Sequence, residues 1–149
     1  MFYQRILFSV LFLLFFTACS STISVKINNT ENSNLNNRFD DVPLTVIVYQ
    51  LKDIKKFEEA SDLDLATRED GVLGKDKIDS IKLQIAPKDS VIAAKVSDEE
   101  VLYVGVFALF ANATKKITKA WAKIGDASGF GSNKTLEFEV TKEGVKKIK

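Results

Sequence analysis

Cys19 carries the only thiol in this 149-residue chain, directly after Phe16-Thr17-Ala18, where an apolar run gives way to small residues. A cysteine sulfur is the side-chain atom that readily forms a thioether, so the position suits covalent modification more than catalysis. No histidine is present, which removes the commonest general base and the commonest metal ligand. Other candidates for chemistry have the residue types without the spacing. Asp62 with Asp64, and Glu58 with Glu59, could pair as carboxylates, yet each pair reads as a solvated helix face. Gly125, Gly129 and Gly131 around Phe130 form a glycine-rich loop that matches neither phosphate-binding pattern. Lys115, Lys116, Lys119 and Lys123 form a basic cluster that reads as a solubilising surface. No catalytic residue, metal or cofactor is implied, and the sequence points away from an enzyme.

The element that delivers Cys19 is the amino-terminal stretch. A short start with one charge, Arg5, runs into an apolar block over residues 6–16. That length falls within the ~7–15 residues of a signal-peptide core and short of the ~20 that a spanning helix needs. It predicts an export signal over residues 1–18 that delivers the protein without anchoring it as a span. Phe16-Thr17-Ala18-Cys19 resembles the bacterial lipobox, with Phe16 where leucine is commonest. Small residues let the lipoprotein signal peptidase close on the chain, and Cys19 then takes the lipid. Ser20, where an aspartate would hold a lipoprotein in the inner membrane, implies sorting to the outer membrane with the domain facing the periplasm. Asn28-Asn29-Thr30, Asn112-Ala113-Thr114 and Asn133-Lys134-Thr135 match the glycosylation pattern, to which the resemblance to a bacterial lipobox gives no meaning. Acyl chains contribute about 0.8 kcal/mol per buried methylene, and two or more anchor stably. Attachment therefore requires no apolar surface on the domain.

The chain has 21 Lys and Arg against 20 Asp and Glu. With Arg5 in the signal the remainder is neutral, which excludes the basic face that nucleic acid requires. With its one cysteine committed to lipid the protein forms no disulfide, so packing alone holds the fold. A chain of this length buries roughly two thirds of its unfolded surface, enough for one core. One domain is expected over residues 22–149, with the lipidated amino-terminus and first strand over 19–28.

Alternation of Ile23, Val25 and Ile27 with Ser24 and Lys26 predicts a half-buried strand. Residues 28–42 hold six asparagines, at 28, 29, 32, 34, 36 and 37, and Pro43 closes the run. Connections longer than about 12 residues are usually functional or disordered, and asparagine favours turns by bonding its own backbone. The stretch is either a solvated connector or a contact surface; Arg38 beside Phe39 has the composition of an interface anchor. Residues 44–51 are too apolar for one face to meet water and predict a central strand. Ile54, Phe57 and Ala60 recur at helical spacing, and Ser61 caps a second turn around Leu63, Leu65 and Ala66, giving a helical insertion at about 54–70. Ile81, Leu83 and Ile85, the turn Pro87-Lys88-Asp89-Ser90, and residues 91–96 predict a hairpin. Residues 101–110 are apolar throughout, as expected of a strand covered by a partner sheet on one face and the helix around Phe57 on the other. Leu136, Phe138 and Val140 alternate with Glu137 and Glu139, and Lys142-Glu143-Gly144 turns that strand into a closing hairpin. Ile117, Ala120, Trp121 and Ile124 have the spacing of a helix, although Ile117 and Trp121 also share a strand face.

Pro43-Leu44, the run from Val46 to Asp53 through Tyr49-Gln50-Leu51, then Phe57, Ala60, Leu73-Gly74-Lys75-Asp76, Ile85-Ala86-Pro87, Tyr103-Val104-Gly105-Val106-Phe107-Ala108 and Trp121 together resemble the type VI secretion system lipoprotein family (TssJ, VasD or SciN). The match runs in order from the lipobox to Trp121 and departs at Lys88, where Pro-Gly is usual, and at Ala122, where arginine commonly follows the tryptophan. The resemblance implies an all-β, transthyretin-like two-sheet β-sandwich with a small helical addition, and it favours a loop leading into a strand over residues 117–124. It further implies an outer-membrane lipoprotein that binds the periplasmic C-terminal region of the inner-membrane protein TssM. The loop between the first two strands is the implied contact, which makes Asn34, Asn36, Asn37, Arg38, Phe39 and Asp40 the candidate partner-binding residues. A lipoprotein sandwich that binds a small ligand, or that acts as pilot or chaperone for an outer-membrane channel, is the alternative.

Overall fold

Period-two alternation decides which face each strand buries. In β1 (Thr22–Asn29), Ile23, Val25 and Ile27 point into the core and Ser24 and Lys26 point away. The computed structural model describes residues 20–149; the expected export signal and Cys19 lie outside the described residues. The other strands are β2 (Leu44–Leu51), β3 (Lys77–Ile85), β4 (Ser90–Ser97), β5 (Tyr103–Leu109), β6 (Lys119–Lys123), β7 (Ser128–Phe130), β8 (Asn133–Thr141) and β9 (Gly144–Lys147). They form two sheets. One runs β4-β1-β8-β7, with β9 also on β8, and the other runs β3-β2-β5-β6. β1 is central, antiparallel to β4 and parallel to β8. Among the described residues no helix is long and apolar enough to cross a membrane.

The two sheets face each other through Val25, Ile27, Val46, Val48, Val104, Val106, Leu136 and Phe138, all fully buried. Alternation along β2 and β5 then sends Ile47, Tyr49, Leu51 and Phe107 to the opposite face, as their two-sided apolar character requires. That face is covered by three short helices, α1 (Lys55–Glu59), α2 (Asp62–Thr67) and α3 (Glu69–Leu73), followed by a 3-10 turn at Gly74–Asp76. Ser61 caps α2 as its residue type predicts, its Oγ accepting from the Asp64 N–H at 3.1 Å. Phe57, Leu65 and Leu73 fill the second core. Gly105 makes room for Phe57: a β-carbon there would lie 2.9 Å from the ring. Tyr49 packs against the same ring with centroids 5.4 Å apart. Burial, with the Glu69 carboxylate beside it, pushes the Tyr49 phenol far above its usual range.

Two local expectations are corrected. Strands form on both sides of Pro87-Lys88-Asp89-Ser90, but they are not a hairpin: β3 pairs with β2 and β4 with β1, so the turn crosses from one sheet to the other. Asn29 holds that crossing, its buried amide donating to the carbonyls of Ile85 at 3.2 Å and Ala86 at 3.0 Å. Each arm thereby lies along a central strand, β3 along β2 and β4 along β1. The helical spacing over residues 117–124 is likewise overridden. β6 alternates Ala120 and Ala122 toward the sandwich interior with Trp121 toward the helices, and it pairs antiparallel with β5.

Phe57→Ala is expected to cost about 3–5 kcal/mol by leaving a cavity, and Gly105→Ala about 1–3 kcal/mol by overpacking. Urea unfolding of the double variant should show the Gly105→Ala penalty shrinking once the ring is gone; strict additivity would disprove the contact.

Across the parallel pair, Glu137 accepts from the Asn28 amide at 2.6 Å and pairs with Lys26 at 3.3 Å. The Asn28 hydrogen bond, then Lys26, holds the Glu137 carboxyl below its ordinary value of 4.5. A depressed carboxylate stabilises the fold above that value and loses its contribution as pH falls through the lower, folded-state one. Stability should therefore drop on acidification below about pH 4.5, and Glu137→Gln should flatten that slope in urea melts taken at successive pH values.

Candidate functional site

β1 sets the polarity of the molecule. Its first residues lie where the chain emerges from Ser20, and its eight residues carry the backbone about 25 Å, at roughly 3.3 Å per residue, to Asn28 and Asn29 at the opposite end. The 30–43 connection to β2 sits at that far end, beside the 110–118 loop and the turn between β8 and β9. Antiparallel pairing of Leu44 with Ile85 and of Thr45 with Leu109 fixes this grouping.

The loop is built by its asparagines. Asn34 is buried, and its amide donates to the carbonyls of Val42 at 3.3 Å and Pro43 at 3.0 Å. Its Oδ1 accepts from the Ala111 N–H at 2.7 Å, which clips the loop to its neighbour 77 residues away. Beyond a bridge between Leu35 and Asp41 the chain makes a tight tip. There the Asn36 Oδ1 accepts from the backbone N–H groups of Arg38 at 2.8 Å and Asp40 at 3.0 Å, and the Asn36 amide donates to the Asp40 carboxylate at 3.2 Å. Phe39 takes a left-handed φ of 63°, strained for an aromatic residue. Its ring is 83% exposed. Asn37, Arg38 and Asp40 are exposed with it.

The six candidate residues thus divide into two kinds. Asn37, Arg38, Phe39 and Asp40 present a surface. Asn36 shapes the tip, and Asn34 is spent on holding the loop together.

Residues of the second loop, none of them read as partner-binding from the sequence, complete the face. A shallow groove runs between Leu35 and Phe39 on one side and Asn112, Thr114 and Lys116 on the other. The Lys116 ammonium donates to the carbonyls of Ser33 and Lys142 and lies 5.0 Å from the Phe110 ring centroid. The sequence signals in this loop were Lys115 and Lys116 of the basic cluster and Asn112-Ala113-Thr114, which forms a side-chain turn with the Thr114 N–H donating to the Asn112 Oδ1 at 3.1 Å. Lys119, from the same basic cluster, donates to the carbonyls of Phe57, Glu58 and Ala60 at the end of α1. Desolvation there lowers its ammonium pKa despite nearby Asp62 and Glu58. Two of the four clustered lysines are therefore structural rather than solubilising. Glu58 and Asp62 are also engaged, accepting from the Trp121 indole at 2.8 Å and the Thr118 hydroxyl at 2.9 Å. Among the described residues no three acidic, histidine or cysteine side chains converge as a metal site. The arrangement offers recognition, with a rigid polar base under an exposed aromatic and guanidinium.

The family model for type VI secretion lipoproteins (VasD, EvfM, TssJ) matches residues 21–143. No curated protein sequence matches the chain. Among solved structures, Serratia marcescens Lip, a membrane-bound component of the type VI secretion system, superposes with a TM-score of 0.76 at 17% identity, covering 87% of this chain and 97% of Lip. The lipoprotein TssJ1 of Pseudomonas aeruginosa gives 0.70 at 14% identity, over 87% and 95% of the two chains. A chain in the structure of the TssM C-terminal domain from EAEC gives 0.68 at 20% identity, over 86% and 98%. These likenesses establish a common fold.

Asn34→Ala should cost about 1–3 kcal/mol by stranding the Ala111 N–H and two carbonyls, whereas Asn37→Ala should be near neutral. Urea melts of the two variants check the difference; equal costs would contradict the division of the loop into a buried base and an exposed face.

Proposed function

The chain belongs to the type VI secretion lipoprotein family, and from that membership we propose that it is a tether of the secretion machine's trans-envelope complex. In this reading the lipid on Cys19 holds one end in the outer membrane. The sandwich spans a short distance into the periplasm, and the 28–42 loop grips the periplasmic C-terminal region of an inner-membrane protein of the TssM type.

The observation that carries the reading is the polarity of β1, which puts the chain's emergence at Ser20 and the Asn-rich loop at opposite ends of one rigid body. A tether needs that separation, because an anchor and a partner site on the same end would compete for space. The character of the loop supports it further. An interface anchor gains most when its ring or guanidinium is already held, since little side-chain or backbone entropy is lost on binding. Phe39 and Arg38 stand on a tip whose backbone is fixed by Asn36 and Asp41. A chain of this fold is found in the structure of the TssM C-terminal domain from EAEC, which supports the partner class. A small-ligand binder would use a roomy apolar cavity, whereas the space between these sheets is filled by Val25, Val46, Val106 and Phe138.

Arg38→Ala and Phe39→Ala are each expected to lose about 1–3 kcal/mol of binding, roughly 5- to 150-fold in Kd. The measurement is calorimetric titration of residues 20–149 with the periplasmic C-terminal fragment of the TssM-type partner. Unchanged affinity in the double variant would overturn the assignment of the site, and no binding by the native domain would overturn the tether.

A further inference from the structure

Phe130 is 95% exposed, more than any other large apolar side chain among the described residues. It sits on a two-residue hairpin, where Phe130 pairs with Asn133 and Gly131-Ser132 makes the turn. The tip is tightly built. Gly131 has a φ of 60°, as hairpin turns of this length require. Gly129 has a φ of 140°, and a β-carbon there would lie 2.1 Å from the Asn133 carbonyl oxygen. The ring is thus held out on a rigid support, and the sandwich and the 28–42 loop make no use of it.

Its place in the fold is informative. β8 runs parallel to β1 with Lys134 beside Ile23. Carried one step back, that register sets Asn133 and Phe130 level with Thr22, and the turn level with Ser20 and Ser21. The chain has no slack there: the Ser21 N–H donates to the Asp98 carboxylate at 3.1 Å, and the Asp98 N–H donates back to the Ser21 carbonyl at 3.4 Å. From Cys19 to Thr22 the backbone covers at most about 10 Å even when fully extended. The acyl chains on Cys19 would therefore bring the exposed ring to within about 10 Å of the headgroup layer, itself about 5–7 Å deep on each side of the hydrocarbon.

We infer that the β7–β8 tip is a second membrane contact, in which Phe130 enters the interfacial layer of the lipid surface that holds Cys19. The inference rests on the lipoprotein reading. Leu102, 56% exposed, lies at the same end, where Leu51 and Ile124 hold its backbone. Lys95 and Lys134 line a groove beside the tip, together with Ser132, and face headgroup phosphates. Glu99 and Glu100 lie in the turn after β4, so contact depends on the ring rather than on net charge. The acyl chains already retain the protein; a second point beside them sets its tilt. Fixing the tilt points the 28–42 loop away from the bilayer.

The test uses the full lipidated protein in phosphatidylethanolamine and phosphatidylglycerol vesicles. Because lipid consumes the Cys19 thiol, Ser132→Cys introduces the sole free thiol for an environment-sensitive fluorophore. The expected result is a blue-shifted emission, quenched by spin-labelled phospholipid several-fold more than the same label at Asn37→Cys. Adding Phe130→Asp to Ser132→Cys should bring the quenching down to the Asn37→Cys level while the protein still floats with vesicles. A floating protein whose tip label is quenched no more than the distal one overturns the membrane contact alone, as does quenching that survives Phe130→Asp. A protein that does not float overturns the lipoprotein reading and this contact with it.

Discussion

The structure depends on one strand held from both sides. β1 bonds antiparallel to β4 over Thr22 to Asn28 and parallel to β8 over Ile23 to Asn29, so neither edge is free. A central strand cannot leave without exposing two rows of backbone groups, each costly to leave unpaired. The apolar face of β1 makes withdrawal costlier still, because Ile23, Val25 and Ile27 are fully buried against the second sheet. A pull applied to residues before Ser20 therefore meets two ladders loaded along their length together, rather than one pair of bonds opened at a time. For a protein proposed to tether, the strand leading from the lipid is the one best seated to resist.

The second sheet carries a different burden. β2 and β5 are apolar on both faces because they are shared between two cores, the interior of the sandwich and the layer under the helices. That sharing explains why Gly105 lies in the middle of a strand, where glycine ordinarily weakens pairing. A side chain at 105 would displace the Phe57 ring, and the ring closes the helical layer. Lys119 and Trp121 then reach across from β6 to bond the end of α1 and Glu58. Polar side chains that the sequence offered as possible sites are used as fasteners.

How much of this was legible before folding follows from how far each signal reaches. The alternation of Leu136, Phe138 and Val140, the Ser61 cap and the two-sided character of β5 are local patterns, and each appears in the structure where its pattern places it. The layer into which a strand goes is not local. Pro87 to Ser90 is a competent turn in either case, and only the long-range pairing of its two arms decides between a hairpin and a crossing. At residues 117–124 the small side chains of Ala120 and Ala122 fit a helix face and a strand face equally well, and the vacant edge of β5 selects the strand. The resemblance to the lipoprotein family, carried by Tyr49-Gln50-Leu51 and Tyr103-Val104-Gly105-Val106, favoured the strand correctly. The candidate site was legible as a stretch and illegible as residues. Asn34 and Asn37 are the same side chain three positions apart, and what separates them is Ala111, far along the chain.

The same reasoning explains why an ordered loop can be so rich in polar residues. A long connection without apolar anchors ordinarily stays mobile, because ordering each residue costs about 1–2 kcal/mol of backbone entropy. In this protein the cost is offset by hydrogen bonds from the loop's own side chains: the Asn29 side chain accepts from the Ser33 hydroxyl, Asn34 bridges the backbone of Pro43 and Ala111, Asn36 closes the tip, and the Asp41 carboxylate accepts from the Asn32 N–H at 2.6 Å. Asparagine serves because one amide carries both donors and an acceptor and because the residue tolerates the left-handed conformation that Asn32 adopts at a φ of 59°. Polar residues thus do inside this loop what apolar ones do inside a core. Its outer face is left free to carry Arg38 and Phe39 on a backbone that is held without being buried.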